Sequence, residues 1–401
     1  MIDDPRDPFD HHWDVVVVGA GPAGAATAIT LARLGQRVLV LEERLSARCK
    51  LGESLPPMAI GLVRHFLGED LGTLVEDQPG VFRTAGNVSV WASAQPEIKD
   101  FFFTTAAYGL CIERLAFDAR LRVLAEAAGA SLLRGVGFDA CARVERAGSQ
   151  WRLRLRSEGG VQQHRARYLV DASGRRAVIA RALGVAFAPQ DDGLFAYAQW
   201  YECDGADDEH YTRIEAGPHG WWYSNRLPAR DGGQTRRLVV FHSDKDLPAA
   251  RMATRLEGYN RLLADSTHIA PLLRARSYRP VGKIHGAPAH SQRLDAFCGE
   301  GWMAVGDAAQ AYDPLSSQGI DKALRSGSHA GHLIHYALTE AVSAASLGPD
   351  NHYLQQYDER QQTLWQTYVS NRNYYYHKQP RWSDQPFWQR RHVAATWSTT
   401  R

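Results

Sequence analysis

Residues Asp14 to Glu43 read DVVVVGAGPAGAATAITLARLGQRVLVLEE. Val15 to Val18 is the apolar, β-branched run that a buried strand requires, and Gly19-Ala20-Gly21-Pro22-Ala23-Gly24 follows it at once. Ala25 to Leu34 reads as a small-residue helix closed by Gly35, and Val38 to Leu41 as a second buried strand ending at Glu42. Each glycine has a physical reason. Gly19 allows the tight turn, Gly21 lets a pyrophosphate approach the backbone, and Gly24 lets the helix lie close on the strand. Pro22 and Ala23 belong with the glycines to the cofactor-binding turn, and the helix N-terminus that follows supplies partial positive charge. Glu42 stands 18 residues beyond Gly24, near the ~20 at which a carboxylate meets a ribose 2′-hydroxyl. With Glu43 beside it, the stretch predicts a dinucleotide whose adenosine ribose is unphosphorylated, as in FAD or NAD.

The whole chain narrows the class. At 401 residues it is long enough for two interleaved domains. Lys plus Arg number 46 against 44 Asp plus Glu, a formal charge of +2, so no bulk field recruits nucleic acid or an anionic membrane. No run approaches the ~18 to 20 apolar residues that span a bilayer, and residues 1–12 carry no hydrophobic signal core, which predicts a cytoplasmic protein. Five cysteines without a CxxC pair read as reduced thiols. The sixteen histidines show no HxxxH or HExxH spacing, and His329, His332 and His335 lack a Cys, Asp or Glu to complete a ligand set, so no metal is expected. No GxSxG occurs, which sets serine hydrolysis aside.

Along the chain, Gly52-Glu53-Ser54-Leu55-Pro56-Pro57 predicts a loop before a helix near Met58 to Phe66. Residues 81–105, with Val88, Val90 and Phe101 to Phe103, predict antiparallel strands, and Glu113 to Ala128 a helix that Arg114 opens. From Ser131 to Val170 the pattern is three or four strands with turns at Ala147-Gly148 and Glu158 to Gly160, running into Asp171-Ala-Ser-Gly174. Residues 186–280 predict a separate antiparallel layer with one helix near Ala250 to Leu263. Trp302 to Val305 reads as a buried strand ending in Gly306-Asp307, Gly319 to Ala341 as a helix, and Tyr353 to Tyr368 as a helical tail. Three punctuated turns thus recur at the carboxyl ends of buried strands, where ligands of open α/β sheets gather.

GAGPAG with Glu42, Arg114 in IERLAFDARL, DASGRR at 171–176 and WMAVGDAAQAYDPLSSQGI at 302–320 resemble the FAD-dependent monooxygenases of the aromatic-hydroxylase type, including the flavin-dependent halogenase branch. The likeness covers most of residues 13 to 345. It implies an α/β (α+β overall) fold: a Rossmann-type FAD-binding domain interleaved with an antiparallel-sheet substrate domain, and a helical C-terminal tail. The FAD-binding segments would be 13–80, 106–185 and 281–345, the substrate segments 81–105 and 186–280, and the tail 346–401. By the same resemblance Arg114, Asp171, Gly174 and Gly306 belong to the FAD site, and Asp307 binds the ribityl chain. Pro314 lies beside the isoalloxazine, and the amides of Gln318, Gly319 and Ile320 face its pyrimidine end. Read from the residues, a Ser-Ser-Gln-Gly turn at a helix N-terminus offers N–H groups suited to the negative charge of a reduced flavin; Asp307 alone reads equally as a helix N-cap.

The GESLPP loop resembles the GES segment of halogenases and their hydroxylating relatives, which puts Glu53 and Ser54 by the flavin; helix capping is the competing reading. Halogenases also carry a catalytic lysine beyond this loop and a WxWxIP motif. Here Phe82 to Trp91 (FRTAGNVSVW) contains no lysine, and WWYSNRLP occupies 221–228. Both departures point to hydroxylation by a flavin hydroperoxide, with Glu53, Trp222 and Pro314 at the chemistry and Trp221, Trp222 and Tyr223 walling the substrate cavity; plain packing of these aromatics is the alternative.

YDPLSSQGI and the tail YYYHKQPRWSDQPFWQRRH (374–392) are similar to the flavoproteins that mature quinone-cofactor oxidases and dehydrogenases by hydroxylating a tryptophan in a partner polypeptide. The resulting expectation is an FAD-dependent monooxygenase acting on an electron-rich aromatic ring, either a small molecule or a peptidyl tryptophan. Halogenation, hydroxylation of a small biosynthetic molecule, and reductase or dehydrogenase activity stand as alternatives. O2 is the co-substrate. No second GxGxxG lies between Gly135 and Gly301 to hold NAD(P)H, so reduction is direct through transient docking or uses a separate flavin reductase.

Overall fold

The computed structural model describes residues 12–45, 50–68, 80–104, 106–146, 149–188, 193–228, 234–341, 344–348 and 350–393. Residues 1–11, Cys49, Thr105 and the Ala147-Gly148 turn lie outside them.

The strand predicted at Val15 to Val18 is the middle of an eight-stranded sheet. His12–Val18 pairs in parallel with Val38–Glu42 on one side and Gly160–Asp171 on the other; Ser131–Arg134 and Trp302–Ala304 extend the two edges in parallel. The antiparallel strands Gly137–Arg146 and Ser149–Ser157 pair onward from Gly160–Asp171. Val15, Val16 and Val17 are wholly buried, as an unbroken apolar run must be when a sheet is covered on both faces.

The helix Pro22–Arg33 is poor in large side chains because the long helix Gly319–Glu340 lies directly on it. A Cβ on Gly327 would stand 2.2 Å from the Ala23 carbonyl oxygen, and one on Gly331 2.8 Å from Thr30 Cβ. This Gly-x-x-x-Gly spacing joins segments about three hundred residues apart into one half of the molecule.

The second sheet has seven strands in the order Arg279–Pro288, Leu194–Cys203, Thr235–Asp244, Gly220–Leu227, Tyr211–Gly217, Gly86–Val90 and Glu97–Asp100. Only the pairing of Tyr211–Gly217 with Gly86–Val90 is parallel. Three helices, Pro248–Met252, Leu256–Ala264 and Ile269–Ala275, cover one face, where one was expected. The break has a cause in the sheet. The Glu215 carboxylate accepts the N–H groups of His268 and Ile269 at 3.2 and 3.1 Å, starting a new helix there.

Two further expectations are corrected. Val81–Thr84 does not enter the second sheet; it joins Ser54–Leu55 and Gly109–Ile112 in a three-stranded sheet between the two halves. Phe101 to Phe103 forms a turn rather than a strand. The Phe101 N–H bonds the Ala85 carbonyl at 2.7 Å, the Asp100 carboxylate accepts the Phe102 N–H at 2.8 Å, and Phe102 and Phe103 are exposed. The tail helix runs from His352 to His377, past the predicted Tyr368, and a last helix, Pro386–Val393, follows. Phe387 and Trp388 are fully buried against the second sheet's other face with Trp91, Trp221 and Tyr376.

Candidate active site

The glycine turn sorts its three glycines by geometry. A Cβ on Gly19 (φ +108°) would stand 2.4 Å from the Ala172 oxygen, and one on Gly24 1.9 Å from the Gly19 oxygen. At Gly21 a Cβ would meet nothing within 4 Å. Gly19 and Gly24 are therefore packing glycines, and Gly21 opens onto free space at the N-terminus of the first helix. Pro22 takes the first helical position, and no side chain caps the helix. Gly306 (φ +59°) closes the turn from the other side, where a Cβ would lie 2.7 Å from Ala23 Cβ. Glu42 ends the second strand at the same edge, and Glu43 is paired with Arg176 of DASGRR at 2.7 Å.

Asp171, counted among the cofactor ligands from sequence, serves the protein instead. One carboxylate oxygen accepts the Ser173 N–H at 3.1 Å and its hydroxyl at 2.6 Å; the other accepts the N–H groups of Ile179 and Ala180 at 2.7 and 3.0 Å. Burial pushes this carboxyl up, and the four donors pull against it. Its neighbour Gly174 (φ +67°) faces open space.

Asp307 follows Gly306 beside the glycine turn; its side chain is 42% exposed and accepts the Lys322 ammonium at 2.7 Å. Burial disfavours its charge, but Lys322, Arg175 and Arg114 together hold the carboxyl below the usual range. Further on, the Asp313 carboxylate accepts the Leu315 N–H at 2.9 Å and fixes the turn Pro314–Ser316, which Ser317 leaves in the left-handed region (φ +50°). Pro314 and Gly319 are exposed and Ile320 is buried. The Gln318 N–H makes a 3.4 Å bond to the Ser316 hydroxyl, and the helix it precedes has no side-chain cap.

Arg114 acts on the GES loop. Its guanidinium donates to the carbonyls of Leu51 and Gly52 at 2.5 and 3.2 Å while Asp118 braces it at 3.3 Å. Gly52 takes φ +94°, and Ser54 pairs with Cys111. Between them Glu53 is turned inward, 4% exposed. One Glu53 oxygen accepts the Tyr223 hydroxyl and the other the Gly52 N–H at 3.2 Å. Desolvation raises the Glu53 pKa against the pull of Tyr223, the two amides and Arg114, and burial likewise pushes up the Tyr223 phenol and the adjoining Cys111 thiol.

Strand alternation divides the aromatic triplet. Tyr223 reaches Glu53. Trp221 stacks on His242 at 3.7 Å and donates its indole N–H to the Tyr376 hydroxyl at 3.0 Å. Burial lowers His242 to about 3, so the ring it stacks on is neutral. Trp222, expected at the chemistry, faces the other way. It packs on Phe241 and Tyr259 under the helices and lines a separate cleft with Arg381 and Trp382. The structure brings Glu53 and Tyr223 together, and through Tyr376 and Asp313 it links Trp221 to the Pro314 turn.

Lys322 and Tyr376 escaped the sequence reading. A lysine inside an apolar helical stripe was a signal for the first; nothing local distinguished Tyr376 from its neighbours in the Tyr374 to Tyr376 run. Among the described residues no three His, Cys, Asp or Glu side chains group to hold a metal ion.

The open space at Gly21, two helix N-termini without side-chain caps and a partly exposed carboxylate at Asp307 fit a long anionic dinucleotide with a hydroxylated linker. Residues 14–199, just under half of the chain, match the model of the FAD dependent oxidoreductase family. Over 385 residues, 95% of the chain and 97% of the relative, it is 28% identical to a putative FAD-dependent oxidoreductase, LodB, of Marinomonas mediterranea. Its fold is that of the myxobacterial chondrochloren halogenase CndH, a variant of the FAD-dependent halogenases (TM-score 0.76, 22% identity, 96% of this chain and 88% of that one). It is also similar to the peptidyl tryptophan dihydroxylase QhpG, essential for tryptophylquinone cofactor biogenesis (TM-score 0.65, 26% identity, 95% of this chain and 78% of that one).

Proposed function

We propose that the chain is a monooxygenase that hydroxylates an electron-rich aromatic ring, and that this ring is a tryptophan side chain in a partner polypeptide. The observation that carries the reading is the Glu53–Tyr223 pair: a buried acid and phenol where the Arg114-pinned loop of the FAD half meets the second sheet. The likeness to QhpG supports a polypeptide substrate. Reduced FAD supplies the oxygen chemistry, activating O2 for transfer of one oxygen atom.

The chain's own residues do the rest. Gly21, the first-helix amides and Asp307 bind the cofactor, and Pro314 with the Gln318-Gly319-Ile320 amides positions its ring end. Leu51, Trp221 and Leu315, which pack in one apolar cluster, keep water from the junction. Glu53 Oε1 and Tyr223 Oη share a hydrogen bond there, and a carboxylate in that position receives the proton that an aromatic carbon sheds when its ring is restored. Electrons arrive from NAD(P)H, directly or through a separate flavin reductase.

The halogenase reading has the fold in its favour and the absence of a lysine from Phe82 to Trp91 against it. Incubating the protein with NADH, a flavin reductase, O2 and tryptophan-containing partner peptides, followed by tandem mass spectrometry, separates the two. Added oxygen on tryptophan is the expected product. A brominated ring in bromide buffer, with no oxygen added, would overturn the assignment.

A further inference from the structure

Lys322 sits in the first turn of the helix Gly319–Glu340, where the macrodipole is positive and an ammonium is disfavoured. Among the described residues it is the one buried lysine, 7% exposed. Burying an ammonium at that end of a helix is costly unless something holds it. Its contacts show what does: Asp307 at 2.7 Å, the Gln310 carbonyl oxygen, and the face of Tyr312, 4.4 Å from the ring centroid. Tyr312 in turn is stacked on Tyr368 of the tail helix at 4.0 Å, so the ammonium is boxed in.

The two members of the pair face differently. The Asp307 side chain is 42% exposed and the Lys322 side chain 7%, so the carboxylate is the open member of the pair and the ammonium is buried behind it. The other charged groups acting on Asp307 are Arg175 and Arg114. Arg175 donates to the His290 carbonyl at 2.7 Å, and Arg114 is committed to Leu51, Gly52 and Asp118. Lys322 is the partner in direct contact. When FAD covers the carboxylate it loses water, and without a contacting cation such a group takes up a proton as pH falls.

We propose that Lys322 is a positioning residue for FAD: it holds the Asp307 carboxylate ionised and turned into the cleft, so that FAD retention stays constant where an unsupported acid would be protonated. The inference rests on the assignment of the cleft to FAD. Lys322 acts through Asp307, and its removal converts FAD binding into a pH-dependent process.

The test follows flavin released from diluted holoprotein by its fluorescence, from about pH 8 to about pH 5.5. The parent is expected to retain FAD evenly across the range. Lys322→Met should hold FAD near pH 8 and lose affinity by about tenfold or more on acidification, as the raised carboxyl protonates. Lys322→Arg should restore the flat profile. Asp307→Asn should bind more weakly at every pH with no slope, and Lys322→Met/Asp307→Asn should match it, because the lysine has no other route to the cofactor. A flat, parent-like Lys322→Met would overturn the proposal, as would a double variant weaker than Asp307→Asn. Should Lys322→Met fail to fold by circular dichroism, Lys322→Arg still decides: an acid-labile Lys322→Arg overturns it. A parent chain that holds FAD at no pH refutes the cofactor assignment itself, which separates the two failures.

Discussion

The Tyr376 hydroxyl, in the tail helix, donates at 2.7 Å to the carboxylate of Asp313 and accepts the Trp221 indole N–H at 3.0 Å. One phenol therefore ties the tail, the second sheet and the turn that carries Pro314. Tyr376→Phe strips a buried acceptor from Trp221 and a donor from Asp313, at a cost of about 1–3 kcal/mol. A lowered melting temperature is expected, with a fall in kcat larger than the change in FAD affinity, if the loosened turn lies beside the cofactor's ring end as proposed. An unchanged kcat would show that the tail braces the fold without positioning Pro314.

Glu53 gives a pH signature. Burial raises its carboxyl, so the ionised form that accepts a proton appears only above the ordinary value of 4.5, and activity should climb as pH rises through the shifted value. Glu53→Gln should remove that acid limb and lower kcat by about 10²–10⁴. A variant with the parent's pH profile would take Glu53 out of the chemistry.

Gly327 and Gly331 test the joint between the first helix and Gly319–Glu340. A side chain at 327 would run into the Ala23 carbonyl, whereas at 331 it meets the Thr30 side chain. Gly327→Val should thus yield little soluble, FAD-loaded protein, and Gly331→Ala a milder loss of about 1–3 kcal/mol. Thermal melts with the flavin absorbance of the purified proteins would rank them; equal behaviour of both variants would contradict the geometry.

Asp207 anchors the second sheet electrostatically. It is buried and accepts from Arg237 at 2.7 Å, from Tyr278 at 2.6 Å and from Arg276. Burial works against its charge, but Arg237 and Tyr278 hold the carboxyl below its usual value of 3.8. A carboxyl lowered in the folded state stabilises above its unfolded pKa, and that contribution fades as pH falls through the folded one. Asp207→Asn should cost about 3 kcal/mol at neutral pH, leaving Arg237 buried without its anion. The gap in melting temperature from the parent should narrow in strong acid; a gap that widened there would reverse the sign.

The nucleotide half was legible because its requirements are local. Gly19 and Gly24 are forced by atoms a few residues away or across one strand pair, and the valine run announces a doubly covered strand. The junction was legible only in part. Glu53 was named from its loop, but which of Trp222 and Tyr223 it meets depends on the register of Gly220–Leu227 against its neighbours, and a slip of one residue exchanges them. Asp171 looked like a ligand because a motif fixes its identity, not the direction of its oxygens. Lys322 and Tyr376 depend on partners brought together by the whole fold, which no periodicity within either helix reports.

The placement of Phe387 and Trp388 bears on how the protein is made. Both are fully buried on a sheet whose strands all precede them in the chain. Throughout translation the surface around Trp91 and Trp221 therefore waits uncovered, a sticky aromatic wall seeking any hydrophobic neighbour. A chain stalled or clipped before Pro386 would keep that wall and invite chaperones or precipitation even with its nucleotide half complete.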